Sequence, residues 1–123
     1  MDAALHKFVR DRAANRCEYC LIPQHADPFF TFHIEHIIAR QHGGPTTPDN
    51  LALACHHCNL HKGPNLTTID SDTGSIVTLF NPRVDQWNDH FTRQGPYIRG
   101  NTPTGRATAR LLAMNTPPRL ELR

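Results

Sequence analysis

The chain has 123 residues, a formal net charge of +2, and only 38 % hydrophobic and 7 % aromatic residues. That is enough for one domain with a lean core. No apolar run follows Met1 and none elsewhere has the length of a membrane span, so the expectation is a protein without membrane association in a reducing cytoplasm. Domains this small often need a metal or disulfides to complete a core, and four cysteines are available for either.

Residues 2–14 read as an amphipathic helix, with Asp2 as cap and Leu5, Phe8, Val9 and Ala13 near the helical period. Its apolar face is expected over the cysteine that follows. Residues 21–28 hold two prolines and no period, a loop. Phe29 to Ile38, rich in aromatic and β-branched residues, suits a strand. Residues 41–50 carry Gly43-Gly44-Pro45 and Pro48-Asp49-Asn50, which is turn chemistry throughout. Leu51 to Ala54 is a short apolar segment, and Cys55 to Lys62 suits a helix stopped by Gly63 and Pro64.

Further on, Thr67–Asp70 and Ser75–Phe80 flank Ser71-Asp72-Thr73-Gly74 and suit a hairpin. Asp85 to Phe91 suits a short helix in which Trp87 and Phe91 are packing residues, and Tyr97-Ile98 a brief strand. Thr104 to Met114 suits a helix capped by Thr104. No repeat or low-complexity tract interrupts this order.

The cysteines come as Cys17-Glu18-Tyr19-Cys20 and Cys55-His56-His57-Cys58, with 34 residues between the pairs. A Cys-x2-Cys turn offers two sulfurs at the bite of one tetrahedral zinc ion, and two turns complete the set. A disulfide is the alternative, disfavoured in a reducing compartment. Four-cysteine zinc is therefore expected, fixing the fold with binding energy on the order of 10 kcal/mol.

Seven of the nine histidines lie between His25 and His61, so polar chemistry is concentrated around this frame. Phosphodiester hydrolysis uses a hard divalent ion, for which carboxylate and amide oxygens suffice beside water and phosphate. It also uses a base that titrates near neutrality, which histidine supplies. Glu35-His36 and Asn59 are of these types. On a helix, Cys55 and Cys58 share a face while Asn59 is rotated off it, leaving the zinc on one side and the amide on another.

The order Cys-Glu-Tyr-Cys, Glu-His-Ile-Ile, Gly-Gly, Asn-Leu and Leu-Ala-Cys-His-His-Cys-Asn-Leu-His-Lys-Gly resembles the HNH endonuclease family in its four-cysteine zinc form, over roughly residues 10–65. The resemblance implies a ββα-metal finger of two strands and a helix. It implies His36 as general base, Glu35 and Asn59 as ligands of a catalytic Mg²⁺ or Mn²⁺, and Asn50 as the asparagine that pins the loop and orients the histidine. It also implies that the departing 3′ oxygen is stabilised by that ion. Where family members commonly carry Asp and His, this chain has Glu35 and Asn59. His61 is the reserve ligand. His33, His42, His56 and His57 read as surface or supporting groups.

The expected fold class is thus α+β: residues 1–65 as a zinc-stabilised ββα-metal core with an N-terminal helix, and residues 66–123 as an extension of hairpin and helices packed on it. Residues 93–123 carry six arginines against Glu121 alone, a footprint suited to a nucleic-acid backbone. Arg99, Arg106 and Arg110, with Lys62, are the candidate phosphate contacts; for Lys62 a role at the helix end is an equal alternative. The expected partner is nucleic acid, double-stranded DNA first. Two readings compete with a nuclease: a non-catalytic zinc module that binds nucleic acid, and a structural or partner-binding zinc protein.

Overall fold

The computed structural model describes residues 1–123. Helix α1 spans Ala3–Arg12, and the Asp2 carboxylate caps it by accepting from the Leu5 amide at 2.7 Å. Of its apolar positions only Val9 is fully buried. Phe8 stays half exposed beneath the Arg12 guanidinium, 5.1 Å from the ring centre. The helix packs on the hairpin formed by β1 (His33–His36) and β2 (Leu51–Ala54).

That hairpin is antiparallel, with His33 opposite Ala54 and His36 opposite Leu51. The strand expected over 29–38 is confined to four residues because Phe29 and Phe30 turn outward into solvent before pairing begins. All four β2 residues are buried, so its outer edge needs partners. Glu18 supplies two: its amide donates to Leu53 O at 2.8 Å and its carboxylate accepts from Leu53 N at 2.8 Å. Arg12 and Arg83 donate to Leu51 O from the same side.

Helix α2 (His56–Lys62) follows β2 directly. Cys55 is its cap, and Gly63 ends it at φ 51°, a left-handed angle that glycine adopts without cost. Strands β1 and β2 with α2 make the ββα unit. The loop joining the strands makes two 3-10 turns, Arg40–His42 and Pro48–Asn50.

The second half adds the hairpin β3 (Thr67–Ile69) and β4 (Ile76–Thr78), helix α3 (Trp87–His90), and a second hairpin of β5 (Phe91–Gln94) with β6 (Tyr97–Gly100). Helices α4 (Pro103–Leu111) and α5 (Pro117–Leu122) close the chain. Three sequence expectations need correction here. Phe91 opens a strand rather than ending a helix. The cap of α4 is Thr102, whose hydroxyl accepts from Gly105 N at 3.0 Å, while Thr104 donates to Thr78 O. Helix α5 lies in a stretch for which no element was expected.

One buried cluster runs through both halves, from Val9, Cys17 and Ile22 across Leu51 and Leu53 to Phe80, Phe91, Ile98, Leu112 and Met114. The fold is a small α+β domain, and no helix is long and apolar enough to cross a membrane.

Candidate metal centre and neighbouring cleft

The two cysteine turns meet beside the hairpin. Leu21 adopts φ 65° and donates to Cys17 O, while Cys17 N donates to Ile22 O at 2.9 Å, which folds the first turn back on itself. The sulfurs of Cys17, Cys20, Cys55 and Cys58 lie within 4.8 Å of one another, and all four residues are completely buried. The thiols are free. Four sulfurs at about 2.3 Å from one tetrahedral ion lie about 3.8 Å apart, the separation found between Cys20 and Cys55, 3.8 Å. The donor set, burial and spacing fit a structural zinc ion.

A zinc tetrathiolate carries two net negative charges, and the fold brings a cation to them. Buried Arg119, on α5, directs Nη2 to Cys55 Sγ at 3.3 Å and Nη1 to Asp27 Oδ2 at 3.0 Å. Amides contribute too: Cys58 N lies 3.3 Å from Cys55 Sγ and Cys20 N 3.5 Å from Cys17 Sγ. Arg123 reaches Cys20 O at 3.3 Å. Of the basic tail, Arg119 is therefore engaged by the cysteine cluster and Arg123 by the carbonyls of Cys20 and Pro96. Only the neighbouring charges in three dimensions reveal this.

On another side of α2, Glu35, His36 and Asn59 line one shallow cleft of about 370 Å³, with Ile34, Arg40 and Gly63 among its walls. His36 is partly exposed, and its Nε2 lies 2.8 Å from Thr46 Oγ1. Partial burial, with Arg40 nearby, holds its pKa below the ordinary 6.5, which favours the neutral imidazole near pH 7.

Asn50 is buried beneath the loop. Its Oδ1 accepts from Ile38 N at 2.9 Å, and its Nδ2 donates to Ile38 O at 3.0 Å and Pro45 O at 2.8 Å. Both sides of the amide are used, so the loop is tied to the end of β1. Gly44 completes the tie: a Cβ there would meet Ile38 O at 1.7 Å and Asn50 Nδ2 at 2.9 Å.

Glu35 is 6 % exposed. Tyr19 OH donates to its Oε1, and Lys62 Nζ lies 3.5 Å from its Oε2. Burial pushes the carboxyl pKa up, and Lys62 and Tyr19 pull it back. Lys62 is itself 2 % exposed and donates to Ile37 O at 2.9 Å. The expectation of a phosphate-contacting Lys62 is thus corrected: at the buried end of α2 its stem follows the core, and the ammonium neutralises Glu35 instead. Tyr19, between the first two cysteines, was not singled out by sequence, although it bridges the thiolate turn and the cleft.

The remaining candidates separate. His61 is exposed, with Nδ1 2.9 Å from His57 O one turn back, and does not line the cleft. Arg106 is engaged by Asp70 at 3.0 Å and Asp72 at 3.1 Å, and its hydrogen bonds hold the Asp70 pKa at about 2. Arg99 and Arg110 are exposed on the wall of a larger cleft, about 650 Å³, between β6 and α4.

The four-cysteine cluster thus sits at the ββα unit. Residues 17–65 match the family model described as HNH endonuclease, in agreement with the resemblance in the sequence. No curated protein and no solved structure matches the chain.

Proposed function

We propose that the protein is a metal-dependent endonuclease that hydrolyses phosphodiester bonds in nucleic acid, double-stranded DNA being the expected form. The observation that carries this reading is the convergence of Glu35, His36 and Asn59 on one solvent-open cleft within the segment that matches the HNH family. Carboxylate and amide oxygens suit Mg²⁺ or Mn²⁺, and Glu35 with Asn59 would hold such an ion. When bound, the ion supplies charge neutralisation at the scissile phosphate and the departing 3′ oxygen.

His36 takes a proton from the attacking water at Nδ1, with Nε2–H donated to Thr46 Oγ1. Asn50 and Gly44 keep the loop that carries Thr46 in register with β1. Lys62 and Tyr19 keep Glu35 ionised and oriented at the edge of the cleft. Arg99 and Arg110 contact the nucleic-acid backbone, with Arg106 fixed behind them.

Zinc-loaded protein is expected to nick supercoiled plasmid only after Mg²⁺ or Mn²⁺ is added. His36→Ala should lose most of the rate, in the range of 10²–10⁴-fold for a general base, at unchanged zinc content. Equal cutting by both proteins would remove His36 from the mechanism.

One observation favours a second reading. Both Glu35 oxygens already have protein partners, so the fold satisfies this carboxylate without a divalent ion. A non-catalytic zinc module would then bind nucleic acid without cutting under any metal condition.

A further inference from the structure

Before β1 the chain turns two phenylalanines outward. Phe29 is 89 % exposed and Phe30 52 %. An exposed phenylalanine costs hydration and gains no packing, so a pair needs a reason. Phe30 does not project at random: it lies parallel to His56 at 4.1 Å between ring centres and 15° between planes. His56 is fixed in turn by His33, whose Nε2 lies 3.0 Å from His56 Nδ1. These three rings are an ordered shelf, and exposed Phe29 immediately precedes it in the chain.

The shelf shares two elements, β1 and α2, with the cleft. On β1, His33 shares a strand face with Glu35, which lines the cleft. His56 lies one turn before Asn59, and residues spaced by three on a helix are neighbours. Leu60, 67 % exposed, extends the apolar surface on the same turn. The charge around it is one-sided. Between Pro28 and Thr47 the only acid is Glu35, buried and paired, and α2 has no acid, while exposed Arg40 is the free cation of the same segments.

We infer that Phe29, Phe30 and His56 form a stacking platform for an unpaired nucleobase next to the bond that is cut, so that the preferred substrate has single-stranded character at the cleft: a tail, flap or bulge joined to duplex. The inference rests on the nuclease reading for the position of the scissile phosphate. Flat exposed rings in a surface without free acids suit a base on a polyanionic strand. An apolar protein segment would gain nothing from Arg40 beside it.

The test is binding without added divalent ion, so that cutting plays no part. Fluorescence anisotropy compares a short blunt duplex with the same duplex carrying a single-stranded tail that contains 2-aminopurine. Wild type should bind the tailed probe tighter, on the order of ten-fold for one stacked base, with quenching of the 2-aminopurine. Phe29→Ala and Phe30→Ala should each reduce that preference while blunt-duplex affinity and zinc content stay unchanged. Phe29→Trp should retain it.

Equal affinity of wild type for both probes, binding of neither, or a preference that survives both alanine variants overturns the platform. So does a parallel loss on both probes. If Phe29→Ala instead converts a dimer to a monomer in sedimentation and leaves tailed binding intact, the surface belongs to a second copy of the chain. A tailed preference without any plasmid cleavage would keep the platform and dismiss the hydrolytic reading, so the two fail separately.

Discussion

Residues 17–65 and residues 66–123 hold themselves together by different means. The first half has two strands of four residues, a seven-residue helix and a long loop. Its centre is four cysteine sulfurs, packed among Tyr19, Ile22, Phe32 and the whole of β2, and its polar groups are tied inward: Glu35 against Lys62, Asn50 on the loop carbonyls, Arg119 reaching in from the other half. The second half has no ligand cluster. It relies on Phe80 and Phe91 edge to face at 5.4 Å, on Ile98, Leu112 and Met114, and on an ordinary ion pair at Arg106. The short elements that display His36 and Asn59 turn their other faces onto this core, and four sulfurs at its centre fit a zinc ion that would hold them together.

That comparison is tested most strongly by taking the metal away. Chelation of zinc, or Cys58→Ala, should unfold residues 17–65 outright, since binding to such a site is worth on the order of 10 kcal/mol. The buried cluster is continuous, so the second half should melt in the same transition. Far-ultraviolet circular dichroism during chelator titration reads both halves, and Trp87 fluorescence reports their junction, because its indole donates to Tyr19 O at 2.8 Å. Retained native structure at Trp87 after complete zinc loss would mean that the halves are independent domains.

A smaller effect separates charge from metal within the first half. Lys62→Met leaves Glu35 buried without its cation, a change that costs about 3–5 kcal/mol when one partner of a buried pair is removed. Adding Glu35→Gln should restore most of the loss, because the double variant buries no uncompensated charge. Urea unfolding at constant zinc occupancy measures both. If the single variant loses less than about 1 kcal/mol, the pair behaves as a solvated one and the cleft is wetter than its exposure indicates.

Much of this was legible in the sequence where local chemistry decides. Asp2, Gly63, the Gly-Gly turn and the Cys-x2-Cys spacings each demand one backbone outcome, and α1, α2, β1 and the first appended hairpin follow, whereas Leu51–Ala54 read only as an apolar segment and its pairing as β2 came from the family resemblance. What was not legible depends on partners far along the chain. Lys62 reads as a solvated helix end until Glu35 is seen beneath it. Arg119 reads as part of a basic tail until Cys55 and Asp27 meet it across 64 and 92 residues. Strand β5 was read as the end of a helix because Phe91 lies four residues after Trp87, the spacing of a helical face; pairing with Gly100 overrides that local pattern. Among the candidate residues, Glu35, His36 and Asn59 were singled out together by their types and order, and they line one cleft. Tyr19 was hidden because a residue between two cysteines invites attention only to the sulfurs.

The gentlest probe of the comparison is one hydrogen bond inside the second half. Thr108 is completely buried on α4, and its hydroxyl oxygen accepts from Phe80 N at 2.9 Å. Thr108→Val keeps the shape and removes the acceptor, leaving a buried amide unsatisfied, so about 1–3 kcal/mol of stability should be lost. Phe80 also belongs to the cluster that includes the cysteines, and the C-terminal helix beyond α4 delivers Arg119 to Cys55. Weakening α4 should therefore lower the denaturant midpoint of zinc release together with that of tertiary structure. A chromogenic zinc indicator followed alongside Trp87 fluorescence compares the two midpoints directly. If zinc release keeps its wild-type midpoint while Trp87 melts earlier, the metal holds the first half without help from the second.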